Sequence, residues 1–324
     1  MSEHWINKMN QLGGVGIPFL FILDFELVKC KVIPLDKLSS DVLYKTPLGK
    51  NYRLPPKVNN ALQFERFPMD YEVFEDRFKQ VLNQINKGNS YLLNLTFPTP
   101  IVTNYTLREL FFLATAKYKL YFEDQFIVFS PETFVRISDQ MIYTYPMKGT
   151  IDASILDAKA TILNDLKETS EHYTIVDLLR NDLSKIAKEV KVTKFRYIDK
   201  IKTNTKTLLQ VSSEIEGKLA DDYQQKLGDI FAALLPAGSI SGAPKRKTVD
   251  IIQDAEPDQR GYYTGIFGVY DGVNLDAGVM IRYIERHGDN LVYRSGCGIT
   301  SLSKPQEEFS EMIDKVYVPI GRKH

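Results

Sequence analysis

The 324-residue chain has few of the residues that usually announce a chemistry. It holds two cysteines, Cys30 and Cys297, too few for a disulfide framework or a cysteine-based zinc site. A reducing compartment, the cytoplasm, is therefore expected. The four histidines, His4, His172, His287 and His324, make no constellation with Cys297, so a thiol nucleophile is not expected and Cys297 reads as a buried structural residue. Net charge is absent as well: 41 basic residues balance 41 acidic ones. That balance gives no electrostatic reason to expect nucleic acid or a membrane surface as partner. Long apolar runs are missing. "GIPFLFIL" (Gly16 to Leu23) is too short to span a bilayer and reads as a buried strand. "MSEHWINKMN" at the N-terminus lacks a basic segment leading into an apolar one, so no secretory leader is read there. Repeats, low-complexity tracts and flexible linkers are also lacking.

What is present is an ordinary globular composition, 44% hydrophobic and 25% charged, with enough apolar residues for a large core. The best break is "LPPKVNN" (Leu54 to Asn60). A helix is predicted over "YEVFEDRFKQVLNQINKG", with Val73, Phe74, Phe78, Leu82 and Ile85 at helical spacing and Gly88 as the stop. Strands follow at "SYLLNLTFP" and "KYKLYFED". "QFIVFS", "TFVRIS" and "MIYTYP" read as an antiparallel meander turning at "SPE" and "SDQ". Residues 164–189 read as helical. Further strands are expected at "LLQVSSEIEGKL", "GYYTGIFGVYDG", "NLDAGVMIRYIERHG" and "NLVYRSGCGIT". Helices open near Pro244 and Pro305. Hairpins dominate, which predicts an α+β fold with mainly antiparallel sheets.

Several clusters carry candidate chemistry. Glu168 and Glu171 share a helix face, as do Glu308 and Glu311, with Lys315 one turn further on. Such pairs are either solvated faces or oxygen ligands for a hard cation such as Mg²⁺. "LLPAGSISGAPKRKTVDII" leads small residues into a helix. Its free N–H groups, Ser239, Ser241 and Lys245 suit an anion, while Ser241 equally suits a helix cap. In "RSGCGIT", Gly296 and Gly298 mark a bulge or the close approach of a ligand. Arg282, among apolar neighbours in "VMIRYIE", needs an anionic partner, either a ligand or a structural carboxylate. Asp177, Arg180, Asn181 and Asp182 suggest a polar network supporting the Glu171 end. Lys148, in "YPMKGTID", is a solvated charge at a turn or an amine held for chemistry.

Taken in order, "GNSYLLNL", "FSPETF", "YPMKGT", "EHYTIVDLLRNDLSKIA", "GSISGAPKRKTVDIIQDAEPDQRGYYTG", "GVMIRY", "SGCGIT" and "PQEEFSEMIDKV" resemble the chorismate-utilising enzymes. That family includes anthranilate synthase large subunit, aminodeoxychorismate synthase component I, isochorismate synthase and salicylate synthase. The resemblance implies one catalytic domain over 1–324, with a shortened N-terminal segment (1–60) and a family core at 70–320. It implies two large, mainly antiparallel sheets packed as a sandwich, helices outside and a deep cleft. It also implies Mg²⁺ on the ring carboxylate of chorismate, with Glu171 and Glu311 as direct ligands and Glu168 and Glu308 in support. Ser239, Arg282, Gly296, Gly298 and Lys315 match substrate-lining positions, and Glu132 matches a proposed general acid/base.

Lys148 matches the lysine of the aminodeoxychorismate synthase pattern, where anthranilate synthases carry alanine. The implied route is covalent: the amine adds at C2 as the C4 hydroxyl leaves, and ammonia then adds at C4 and expels the lysine. The product is 4-amino-4-deoxychorismate, on the way to p-aminobenzoate and folate. Burial and a neighbouring cation are expected to lower the lysine pKa. Two positions depart from the pattern: Gln210 stands where relatives usually have histidine, and Val269 where they usually have tyrosine. No tryptophan-binding segment is recognised in 1–60. The chain carries no glutaminase signature, so a separate glutamine amidotransferase is the expected ammonia source. The alternatives are anthranilate synthase component I and a non-catalytic anion-binding homologue.

Overall fold

The structure is a computed structural model that describes residues 3–53, 61–202, 207–242 and 244–320. The break expected at 54–60 lies outside them. In chain order the elements are α1 (His4–Gly14), β1 (Phe19–Leu23), β2 (Lys31–Pro34), β3 (Val42–Thr46), β4 (Gly49–Lys50), β5 (Phe64–Arg66), α2 (Tyr71–Asn86), β6 (Leu93–Thr103) and α3 (Leu107–Leu113). Next come β7 (Tyr118–Phe122), β8 (Phe126–Ser130), β9 (Thr133–Ser138), β10 (Met141–Thr144), β11 (Met147–Asp152), α4 (Ala158–Asn164), α5 (Leu166–Ser184), β12 (Lys188–Lys202) and β13 (Thr207–Lys218). The last third holds α6 (Leu227–Leu234), α7 (Gly238–Ser241), α8 (Lys245–Ala255), β14 (Ile266–Tyr270), β15 (Leu275–Val279), β16 (Tyr283–His287), β17 (Asn290–Ile299) and α9 (Pro305–Asp314).

The strands form two antiparallel sheets. One runs β11-β13-β10-β9-β15-β14-β1-β2, with β12 along the other side of β13. The other runs β4-β3-β7-β8-β16-β17-β6-β5. Alternation along β1 shows how they stack: Leu20 and Ile22 join Tyr118, Leu120, Phe122, Phe126 and Val128 of the second sheet in one buried cluster. Phe19, Phe21 and Leu23 point the other way, into a cluster with Trp5, Met9, Ile230 and Phe231 of α1 and α6. Both faces of β1 are thus covered, which explains its unbroken apolar sequence. The fold is the expected α+β sandwich with helices outside.

Two expectations fail in an informative way. The meander is broken: β8 pairs with β7 and β16 in the second sheet, whereas β9 and β10 belong to the first. "SPE" is therefore a crossover between sheets and not a hairpin turn. "NLDAGVMIRYIERHG" likewise splits into β15 and β16, in opposite sheets. Arg282 is not a strand residue; it sits at the switch in the left-handed region, φ +54°. The two crossovers run side by side, since Val279 N donates to Glu132 O (3.1 Å) and Phe129 N to Arg282 O (3.1 Å). Smaller differences follow from packing. Val73 is exposed while Val81 fills the buried face of α2. The stretch read as helical to 189 ends at Ser184, and β12, a lysine-rich edge strand, begins at Lys188. Edge lysines discourage pairing with foreign strands.

Candidate active site

The crossovers deliver Glu132 and Arg282 to one cavity of about 580 Å³. β11 adds Lys148, α5 adds Glu168 and Glu171, and the short α7 adds Ser239. β17 contributes Gly296 and Gly298, α9 contributes Glu308 and Glu311, and Lys315 follows α9 directly. Every residue that the family resemblance assigned to the site lines this cavity, although together they come from both sheets and three helices.

Lys148 Nζ lies 3.1 Å from Glu171 Oε2. It stands over Gly298, where an added Cβ would be 3.4 Å from the amine. Burial opposes its charge, but the carboxylates of Glu171, Glu168 and Glu311 outweigh that effect and hold it above the ordinary lysine range. Burial acts in the expected direction, and the raising comes from these anionic neighbours. Gly149 follows at φ +78°, and a Cβ there would stand 3.2 Å from Glu168 Oε2. The glycine supplies a left-handed turn and room for that carboxylate.

Glu132 Oε1 accepts a 2.7 Å hydrogen bond from Ser239 Oγ. Burial pushes the Glu132 carboxyl up, and Ser239, Lys148, Arg282 and Lys315 pull it back only in part. A raised carboxyl pKa suits a proton donor. Arg282 is a half-buried cation with no carboxylate within ion-pair distance among the described residues; its guanidinium stands 5.4 Å from the Tyr317 ring centroid, and its buried Nε lacks a hydrogen-bond partner. Removing a cation from water without an anion is costly, so Arg282 presents the cavity with a charge suited to an anionic group. Lys315 Nζ is tied to Gly296 O (2.9 Å) and Glu311 Oε1 (2.7 Å).

The four glutamates offer the hard oxygen donors that Mg²⁺ takes. Among the described residues, no three acidic, histidine or cysteine side chains stand close enough to enclose an ion by themselves. Mg²⁺ often keeps several waters and uses one or two protein carboxylates, so the donor set fits the ion without such a cluster.

The remaining candidates resolve differently. Lys245 does not face the cavity: it pairs with buried Asp182 (2.6 Å) and bonds to Leu234 O (2.6 Å). Ser241 Oγ bonds back to Ala237 O and does not cap α8. The expected polar network on α5 divides in two. Asp177, Arg180 and Asn181 bond to one another on the exposed face, while Asp182 joins Lys245 and Lys185. Cys297 is fully buried, and burial holds its thiol far above the ordinary range. Val269 is packed within β14 and does not line the cavity. Gln210 does line it, with Nε2 3.5 Å from Thr150 Oγ1.

Sequence reading missed Asn94, Tyr263 and Ile240, which also line the cavity. Asn94 was detectable as the lone polar side chain within "YLLNL". It also missed how α5 is held: His172 Nε2 pairs with Ser213 Oγ of β13 at 2.7 Å. Burial pulls that imidazole down to about 4, so it is neutral near pH 7.

A carboxylate-lined, cation-bearing cleft in a two-sheet α+β sandwich defines a class. The chain belongs to the chorismate binding enzymes, whose family model matches residues 31–321. Among its relatives is an uncharacterized PabA-like protein of Haemophilus influenzae, 50% identical across 98% of this chain and 97% of that protein. Aminodeoxychorismate synthase component 1 of Bacillus subtilis is 32% identical over 75% of this chain, though the match spans only 54% of that longer protein. The crystal structure of anthranilate synthase component I from Streptococcus pneumoniae superposes with a TM-score of 0.64 at 26% identity, covering 79% of this chain and 59% of that one. Among the described residues, no helix is long and apolar enough to cross a membrane.

Proposed function

We propose that the chain is an aminodeoxychorismate synthase component I, converting chorismate and ammonia to 4-amino-4-deoxychorismate. The observation that carries this reading is Lys148, whose amine sits within the anion-binding cavity beside Glu171 and over Gly298.

Arg282 binds a carboxylate of the substrate, and the ring lies against the side-chain-free surface of Gly296 and Gly298. Glu132 gives its proton to the C4 hydroxyl, which leaves as water. The Lys148 amine forms a C–N bond at C2 and loses a proton. Ammonia then bonds to C4, and the C2–N bond to Lys148 breaks, returning the amine. Lys148 has to be neutral to attack, whereas the surrounding carboxylates favour its protonated form. Mg²⁺, held by Glu171 and Glu311 with Glu168 and Glu308 in support, would offset those carboxylates and draw in the ring carboxylate. A separate glutamine amidotransferase supplies the ammonia under physiological conditions.

Incubating the purified chain with chorismate, Mg²⁺ and ammonium at mildly alkaline pH tests this. Chromatography and mass spectrometry should show 4-amino-4-deoxychorismate. Anthranilate or salicylate as the product would overturn the reading. Absence of turnover, even with a glutaminase partner, would point to a binding role instead.

A further inference from the structure

Asn94 lies on β6, directly opposite Gly298 of β17 in the antiparallel register. It lines the cavity. Its Oδ1 is buried without a hydrogen-bond partner, and sits 2.8 Å from the position a Cβ on Gly296 would take. Any side chain at 296 would also meet Leu95 O at 2.7 Å. Gly296 therefore leaves the space into which the Asn94 amide extends. Among the described residues nothing bonds to either end of that amide, although its main-chain carbonyl accepts from Arg260 Nη2. Buried polar groups without partners are rare, and each calls for an explanation.

The side chain is only partly buried. With Oδ1 packed over Gly296, the Nδ2 end is left for the cavity. The patch is shared with the reacting amine, since Lys148 Nζ approaches Gly298 across from Asn94. Chorismate offers many acceptors: two carboxylates, an ether oxygen and a hydroxyl. A neutral N–H donor adds direction to the charge attraction of Arg282 without adding another cation.

We propose that Asn94 is a substrate-contact residue whose Nδ2 donates a hydrogen bond to chorismate on the Gly296–Gly298 side of the cavity. This rests on chorismate binding, the family property, and not on the particular product formed.

The test is calorimetric titration of the full-length chain with chorismate and Mg²⁺ in the absence of ammonia. Asn94→Leu keeps the volume and removes the donor. Asn94→Asp keeps the shape but supplies only acceptors and a negative charge. Asn94→Ala is the smaller, donor-free replacement should leucine impair folding, which circular dichroism monitors. Chorismate dissociation constants should rise at least about tenfold in Asn94→Leu and Asn94→Ala, and further in Asn94→Asp. Binding as tight as that of the unaltered chain in any folded variant overturns the donor role, and so does an unaltered chain that binds no chorismate. Product analysis is a separate measurement. A different aminated or isomerised product would reject the synthase reading and leave the Asn94 result standing.

Discussion

Ser239 Oγ donates to Glu132 Oε1 at 2.7 Å across 107 positions of sequence. The contact joins a helix entry to a sheet crossover, and it tunes a cavity carboxyl whose pKa burial raises. Ser239→Ala removes a bond that favours the ionised form, so Glu132 should stay protonated to higher pH. A general acid loses activity as pH rises through its pKa. The descending limb of the kcat/KM profile should therefore move to higher pH in Ser239→Ala. Glu132→Gln should abolish that limb and lower kcat by roughly 10²-fold or more. An unmoved limb in Ser239→Ala would detach Ser239 from Glu132 in catalysis.

Lys148→Ala should reduce turnover by roughly a hundredfold or more, the scale expected when one positioned reacting group is lost. With ammonia withheld, mass spectrometry of the unaltered protein should find a chorismate-derived adduct on the peptide containing Lys148. Full activity in the alanine variant rules out the covalent route.

Gly149→Ala places a side chain at φ +78° and 3.2 Å from Glu168 Oε2. Backbone strain of this kind costs about 1–3 kcal/mol, measurable by urea denaturation. The displaced Glu168 should also raise the Mg²⁺ concentration needed for half-maximal activity. An unchanged magnesium titration would remove Glu168 from the metal site.

Asp276 lies outside the cavity, buried in β15, where it accepts a hydrogen bond from the Tyr118 hydroxyl. Burial is the main cause that pushes its carboxyl up from 3.8 to about 6. Because the folded-state value is the higher one, its contribution to stability is complete below about pH 4 and is lost as pH rises through about 6. The difference corresponds to about 3 kcal/mol. Asp276→Asn keeps an acceptor for Tyr118 and cannot ionise. Its melting temperature should vary less than that of the unaltered protein between pH 4 and 7, and should be higher at pH 7. Parallel melting curves across that range would contradict this.

Some of this was legible in the chain and some was not. Phe74, Phe78 and Ile85 announced α2 by spacing, and each is buried as the period requires. The apolar stretch of β1 was read as buried, and is covered on both faces. By contrast, "SPE" carries hairpin-turn residues but serves as a crossover, because β8 and β9 find their partners in opposite sheets. Turn chemistry is local, whereas strand partners are chosen by burial over long sequence separations. The same limit hid Arg282, which looked like a strand residue and is the switch point between β15 and β16. Lys245 was read as a charge available to an anion, yet Asp182 occupies it at 2.6 Å.

Motif order by itself pointed to the family, the antiparallel sandwich and a part of the cavity lining, because each motif's residue types survive in a one-dimensional reading. Tertiary structure alone decided what surrounds them. It set Lys148 among Glu171, Glu168 and Glu311, whose charges raise its pKa against the effect of burial. It also packed Val269 away from the cavity and brought Asn94 into it. Electrostatic and hydrogen-bonding effects fall off over a few ångströms, and sequence separation says nothing about distances on that scale.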